Sequence, residues 1–589
     1  RFHVRRYFCS GQGITDHSLI TRSKGVQTAG ISFLLGPYQN YVNNALDKMS
    51  RGNIAARIWA NDFHVWKPSP QEIANRLGWL HAPVETSAHV SEIRASVEPF
   101  TNGSIDDVVL LGMGGSSLSA EVFSNIFGSA PGFPRLQILD TTDPVVIRRV
   151  ARGLNLDKTL FIVSSKSGKT LEIRSLFHYF YNLADQTPGV SANEHFMFIT
   201  DEGSPMLTQA WQLQLPYVFS NNPNIGGRYA ALSLVGIIPA ALIGVSIEKL
   251  LQNAMAVANR EKADFFSGRG GSTGFLLGAA LGTLAQYGRD KLTLMLPPPW
   301  RPFGDWLEQL LAESLGKEGK GVLPVLNEPP LNVDLYGNDR VFVVFYHDED
   351  EWDSRISQLA GAGHPVLKIR INGFYDLGGQ MFLWEMATAV AAHIMGINPF
   401  DQPDVEATKT HTNRMIEEFR ENKGWPAPRP ALSLTACEVY GDVSARTLPA
   451  ALTKFLAQAG EGAYGGLQVY LSPSPAIDDA LQKLRLAISR RYKMAVTIGY
   501  GPRYLHSVGQ LHKGDAGRGL FIQMTGPNKS DIGIPDELGK PDSFLTFGQL
   551  KAAQAEADRR ALLDKGRKII RIHWKKDAAG GIRSLAKSL

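Results

Sequence analysis

Between Asp107 and Ser220, five short β-prone runs alternate with helical patterns, and this alternation limits the possible folds more than any other feature of the chain. The runs are VVLLG (108–112), LQILD (136–140), LFIVS (160–164), FMFIT (196–200) and YVFS (217–220). Their spacing is that of βαβ units, which predicts a parallel sheet with helices on its faces. The third run says most about chemistry. Leu160 to Val163 reads as a buried strand, Ser164 to Thr170 (SSKSGKT) as a hydroxyl-rich loop, and LEIRSLFHYFYNLA as a helix that starts at once. A strand, a tight turn and a helix N-terminus make an anion site, because unpaired backbone N–H groups and the helix dipole both favour negative charge. The loop lacks the G-x-x-x-x-G-K-[ST] pattern, so a phosphate on a small metabolite fits better than a nucleotide. An ordinary Ser/Thr-capped turn is the plain alternative. After the first run, GMGGSS (112–117) lacks G-x-G-x-x-G spacing, and Gly115 and Ser116 suit a sugar phosphate at least as well as a dinucleotide.

Three later stretches carry candidate chemistry. In NNPNIGGRYAALSLVG (221–236), Arg228 is the one cation at the predicted start of a helix, where positive charge is unfavourable. It therefore faces either an anion or oxyanion, or a core carboxylate. A second α/β unit is expected from near Gly270, with strands KLTLMLP (291–297), RVFVVFY (340–346) and PVLKIRI (365–371). Within it, FGDWLEQLLAESLGKEGKG (303–321) predicts a helix with Gln309 and Glu313 four apart on one side. A carboxylate so placed is suited to proton transfer, although a solvated glutamate would look the same. Phe382 to Gly396 predicts a buried helix leading into INPFDQPDVEATK (397–409), a rigid turn that offers Gln402 and Lys409. After a polar linker (420–430) come strands near Leu432, at 468–471, 494–498, 519–524 and 569–574, with His506 and His512 in GYGPRYLHSVGQLHKG (499–514).

Residues 1–30 have little periodicity and read as a leader. Tyr38 to Arg57 is helical in pattern, and Ser69-Pro70 predicts a further helix start in an N-terminal helical layer. The chain has 61 basic and 56 acidic residues, a net charge of +5, which gives no licence for a nucleic-acid or membrane surface. The most apolar segments, 232–245 and 382–395, are interrupted by polar residues or proline and fall short of a membrane span. The start RFHVRRYFC lacks the apolar region of a secretory signal. Cys9 and Cys437 alone do not make a disulfide framework, and a reducing compartment fits. No Cys/His/Asp constellation suggests a metal.

Taken together, GMGGSSL (112–118), SSKSGKTLE (164–172), GGRYAALSLVG (226–236), WLEQLLAESLGKEGKG (306–321), NPFDQPDVEATK (398–409) and YLHSVGQLHKG (504–514) resemble the phosphoglucose isomerase family. The likeness is strongest to the isomerase half of fused bacterial transaldolase/phosphoglucose isomerase proteins. The resemblance implies an α/β protein with two sugar-isomerase αβα sandwiches on parallel sheets and an N-terminal helical layer. The resemblance covers the chain from about residue 31, with an expected helical segment 31–100, a first domain 101–260 and a second domain 261–589 with a C-terminal extension; the leader 1–30 lies outside it. It also implies reversible isomerisation of glucose 6-phosphate to fructose 6-phosphate in glycolysis and gluconeogenesis, no cofactor or metal, a homodimer and a cytoplasmic setting. Carried over by motif, the phosphate loop falls on Gly115, Ser116, Ser165, Lys166, Ser167 and Thr170. Glu313 matches the general base, Arg228 the active-site arginine, Gln309 and Gln402 the substrate-binding glutamines, and His506 with Lys409 the ring-opening pair. His506 follows Lys409 here, whereas the long animal-type enzymes place their histidine earlier. A bifunctional glucose/mannose phosphate isomerase and a non-catalytic sugar-phosphate-binding module are the alternatives.

Overall fold

The computed structural model describes residues 27, 28, 30–266, 272–348, 352–422, 429–528 and 530–589. Most of the leader, with Cys9, the expected unit start at Gly270 and most of the polar linker lie outside the described residues.

The alternating runs form one five-stranded parallel sheet, in the spatial order Arg135–Leu139, Asp107–Leu111, Thr159–Ser165, Phe196–Asp201, Tyr217–Asn221. Leu160 to Val163 are fully buried, as a strand covered on both faces must be. The first strand in sequence lies second in space, so the chain turns one way after Leu111 and the other way after Ser165. Ligands in open parallel sheets bind at such a switch point, beyond the carboxyl ends of the strands. The two loops singled out in the sequence leave the sheet there.

A second sheet pairs Lys291–Met295, Leu323–Val325, Arg340–Tyr346 and Val366–Arg370 in parallel. Its edge is closed by Ile31–Leu34, which runs antiparallel to Val366–Arg370 and pairs in turn with Gln27–Thr28. The strands expected from Leu432 onward build a third sheet of their own, apart from a small two-stranded sheet of Gly533–Ile534 and Leu545–Thr546. Ala495–Tyr500, Tyr464–Tyr470, Gly519–Thr525 and Lys568–Trp574 lie parallel within it, and Cys437–Tyr440 is added antiparallel.

The mostly apolar segment around Phe382 is the helix Asp376–Met395, which packs against Thr273–Gln286. Side chains at Gly278 and Gly282 would lie 2.5 and 2.9 Å from the carbonyls of Ala387 and Ala391, so glycine lets these helices touch. The N-terminal layer docks on the same helix, with Trp66 Nε1 donating to the Ala389 carbonyl at 2.8 Å. Two expectations need correction there. Ser69-Pro70 starts a run of turns rather than a helix, and Glu72, at φ 54°, interrupts any helical continuation. Tyr38 to Arg57 is two helices, broken at Gly52 and at Asn53 with φ 53°. Among the described residues no helix is long and apolar enough to cross a membrane.

Candidate active site

At the switch point a cavity of about 360 Å³ is lined by Ser116, Lys166, Ser167, Thr170, Arg228, Gln309, Glu313, Gln402, Lys409 and His506, with Gly114 and Gly115 in its floor. The glycines bring its walls together. A side chain at Gly115 would lie 2.2 Å from Gly227, and one at Gly114, whose φ is 55°, would strike the His506 carbonyl and the Gln309 amide. Four chain segments distant in sequence thus meet at close quarters.

One end of the cavity is the anion loop. Thr170 occupies the N-cap of the helix Leu171–Asp185 but makes no side-chain capping bond, which separates it from an ordinary capped turn. Lys166 Nζ donates to both oxygens of Asp201, at 2.6 and 2.8 Å, and burial holds its ammonium below the usual range. Arg76, from the N-terminal layer, lines the same cavity. Ser165 departs from expectation: the strand runs on through it, its side chain is buried, and it does not line the cavity.

The other end is organised by the helix Arg301–Leu315. Its apolar stripe of Trp306, Leu307, Leu310 and Leu311 is buried, which fixes the rotation that aims Gln309 and Glu313 at the cavity. Gln309 Nε2 donates to Glu313 Oε2 at 3.0 Å and to the His506 carbonyl at 2.9 Å. Glu313 is 6% exposed, and its Oε2 lies 3.6 Å from Arg228 Nη1. Arg228 is 3% exposed and donates to Ser314 Oγ, Gln402 Oε1 and the carbonyls of Pro399 and Asp401. The expected helix start at Arg228 is corrected: the residue sits in a short 3-10 turn, and the α-helix begins at Leu234 behind a Ser233 cap. Of the two readings of this cation, the geometry shows a close carboxylate that is itself on the cavity wall.

Lys317, one turn beyond Glu313, donates to the Asp401 carbonyl and carboxylate at 2.5 and 2.8 Å. Burial, with repulsion from Arg228, brings its ammonium down to about 8. Together Lys317 and Arg228 pin the turn that presents Gln402. His506 Nε2 meets Glu172 Oε1 at 2.9 Å. Burial pushes the Glu172 carboxyl up, but His506 and then Lys409 more than offset this and hold it below its ordinary value. An ionised carboxylate only accepts, so this contact places a proton on Nε2 and leaves Nδ1 for a ligand. His512 is instead a core residue packed on Phe521, with burial pushing it far below the usual range.

Glu172, the partner of His506, is a residue to which the sequence alone assigned no role. An acidic side chain in a first helical turn suits the dipole and draws no notice by itself. Lys317 and Ser314 were equally silent, since only the fold brings them to the turn and the guanidinium they serve.

The fold recurs in solved structures. The glucose-6-phosphate isomerase from Chlamydia trachomatis superposes with a TM-score of 0.56 at 19% identity, covering 67% of this chain and 90% of that one. A hypothetical protein from Thermus thermophilus gives 0.54 at 23% identity, covering 65% and 98%. The fold is thus one that a glucose-6-phosphate isomerase uses. A family model described as phosphoglucose isomerase matches residues 86–264. The chain is 30% identical over 346 residues to the protein named "Probable glucose-6-phosphate isomerase" of Methanococcus maripaludis, covering 52% of this chain and 77% of that one. It is 27% identical over 386 residues to the glucose-6-phosphate isomerase of Rubrobacter xylanophilus, covering 57% and 88%. The chain belongs to the phosphoglucose isomerase family.

Proposed function

We propose that the chain interconverts D-glucose 6-phosphate and D-fructose 6-phosphate by ring opening followed by proton transfer through an enediolate. The observation that carries this reading is Glu313: a buried carboxylate on the cavity wall, steadied by Gln309 and 3.6 Å from the Arg228 guanidinium. Ser116, Lys166, Ser167 and Thr170 hold the dianionic phosphate at the far end, so binding energy remote from the reacting carbons positions the sugar. Nδ1 of His506 takes the proton from O1 and delivers it to the ring oxygen as the bond from C1 to that oxygen breaks, with Lys409 nearby to assist, and the C1 aldehyde forms. Glu313 then takes the proton from C2 and returns it to C1, while the hydroxyl proton moves from O2 to O1. The step is redox-neutral overall: C1 is reduced as C2 is oxidised. Arg228 lies where charge develops on the enediolate oxygens, in a site where burial makes a fixed cation most effective.

A coupled assay on the purified chain tests the reading, with glucose 6-phosphate and mannose 6-phosphate run side by side. Turnover of the first, and little of the second, is expected. Equal rates would favour a bifunctional isomerase, and no rate with either would leave a binding module.

A further inference from the structure

The helix Phe547–Asp564, which precedes the strand Lys568–Trp574 of the third sheet, turns one face toward Glu172 and the turn that carries His506. Lys551, Gln554 and Asp558 are spaced three and four apart and so share that face. Each is spent on a buried polar partner. Lys551 Nζ donates to Asp143 Oδ2 at 2.8 Å. Gln554, 3% exposed, donates from Nε2 to Glu172 Oε1 at 2.7 Å and accepts from Thr142 Oγ1 at 2.8 Å. Asp558 accepts from Tyr504 at 2.6 Å and pairs with Lys513, which fixes the turn Arg503–His506. The orientation of the Gln554 amide follows from chemistry. An ionised Glu172 can only accept, so the NH₂ must face it, and the carbonyl is left for the Thr142 hydroxyl.

We propose that Gln554 is a positioning residue for ring opening, holding the Glu172 carboxylate at the distance from which it orients His506. Glu172 Oε1 accepts from both His506 and Gln554, so the carboxylate is held in a rotamer that satisfies both donors. Without the second donor the carboxylate can turn away, and the imidazole loses the partner that keeps the proton on Nε2 and Nδ1 toward the sugar. The helix thus ties Glu172 and His506 to one rigid element: Glu172 through Gln554, and the turn that carries His506 through Asp558. This inference rests on the ring-opening role given to His506 above.

Gln554→Met keeps the length and bulk of the side chain but cannot donate. Turnover of glucose 6-phosphate should fall by about tenfold, the scale of one lost hydrogen bond to a charged group. Deuterium exchange at C2 of a 4,5-dideoxy-aldohexose 6-phosphate, which cannot close a ring, should stay within about twofold of wild type on the same argument. In a His506→Ala background, Gln554→Met should have no further effect on glucose 6-phosphate. Equal losses on both substrates, or an undiminished loss in the His506→Ala background, would overturn the proposal. His506→Ala alone separates the two levels: if it slows both substrates equally, the ring-opening reading falls and takes this inference with it. If His506→Ala discriminates and Gln554→Met does not, only the inference falls. Should Gln554→Met fail to fold, Thr142→Val removes the bond that orients the amide, and a smaller loss of about threefold, confined to the ring-closed substrate, is expected.

Discussion

The helix Arg301–Leu315 separates two cavities of about the same size, and only one of them is built as a site. On one side Gln309 and Glu313 face the anion loop. On the other, Asp305 and Glu308 face a cavity of about 360 Å³ lined by Glu121, Asp478, Arg485 and Arg503. Glu308 and Glu313 are five residues apart, about 140° around the helix, and their surroundings differ in kind. Glu313 has an amide donor at 3.0 Å and a guanidinium at 3.6 Å, with a strand-to-helix loop across the cavity to hold a phosphate. Glu308 accepts from Ser507 at 3.0 Å, and burial pushes it up to about 7, with Asp305 beside it at about 6. The guanidinium of Arg503, on the same wall, is committed to Glu121 and Asp140. Volume and carboxylates therefore do not by themselves make the proposed site. Donors aimed at the charged form, opposite a second anchor for the substrate, do. The dividing wall on the far side is equally thin: His506 faces the first cavity, and the hydroxyl of its neighbour Ser507 is given to Glu308.

The strongest way to break this comparison is to treat both glutamates alike. Glu313→Gln keeps size and hydrogen bonding but cannot accept a proton, so kcat should fall by at least about 10² to 10⁴ with KM little changed. Glu308→Gln should remain within a few-fold of wild type. The measurement is exchange of the C2 proton of glucose 6-phosphate with deuterated water, followed by NMR. If Glu313→Gln exchanges near the wild-type rate, or Glu308→Gln abolishes exchange, the two sides have been assigned the wrong way round. Glu318, the third glutamate of this stretch, is not a substitute: it is exposed, at φ 55°, and paired with Lys67.

A second test reads stability rather than rate. The folded protein holds the Glu308 proton up to about 7, against an ordinary value of 4.5. The native state therefore binds more protons than the unfolded state between those values. This group's contribution is fully present below about 4.5 and is lost as pH rises through 7. Glu308→Gln removes the dependence. Its stability relative to wild type should rise by about 1 to 3 kcal/mol between pH 5 and pH 8, with Asp305 titrating in both proteins and cancelling. Denaturant unfolding at the two pH values measures it. A relative stability that does not move with pH would mean Glu308 is charged in the folded state, and the contrast with Glu313 would lose its electrostatic basis.

How far the sequence speaks follows the same geometry. Whatever depends on near neighbours was legible: the strand, hydroxyl loop and helix at Leu160 to Ala184, the pair Gln309 and Glu313 one turn apart, and the buried helix around Phe382. Arg228 was singled out by an argument about a helix start that the structure does not contain, yet the residue is in the cavity, because a lone cation after two glycines in an apolar stretch has to find anions. Ser164 and Ser165 were both read into the loop, but the strand outlasts its apolar residues by these two. Glu172 and Gln554 could not be read at all. They lie 382 positions apart, and each taken alone is an ordinary helix residue. The third sheet escaped for a similar reason: its strands were recognised singly, but their separation from the second sheet is a property of pairing across the fold.

The smallest expected effect concerns the end of the first cavity that the second cavity lacks. Thr170 sits at the N-cap of its helix without capping it, so its hydroxyl is left for the ligand. Thr170→Val is nearly isosteric and keeps the β-branch, so the helix start should be unharmed. One neutral-to-charged hydrogen bond lost from a phosphate already held by several donors should raise KM by about threefold to tenfold. Because the phosphate stays bound alike in the ground and transition states, kcat should hardly change. Inhibition by 6-phosphogluconate should weaken by the same factor, since that ligand shares the phosphate but not the reacting carbons. An unchanged inhibition constant would place the phosphate elsewhere. If instead kcat fell with KM unaltered, the loop would be acting on the chemistry, and the division of the cavity into an anchoring end and a reacting end would not hold.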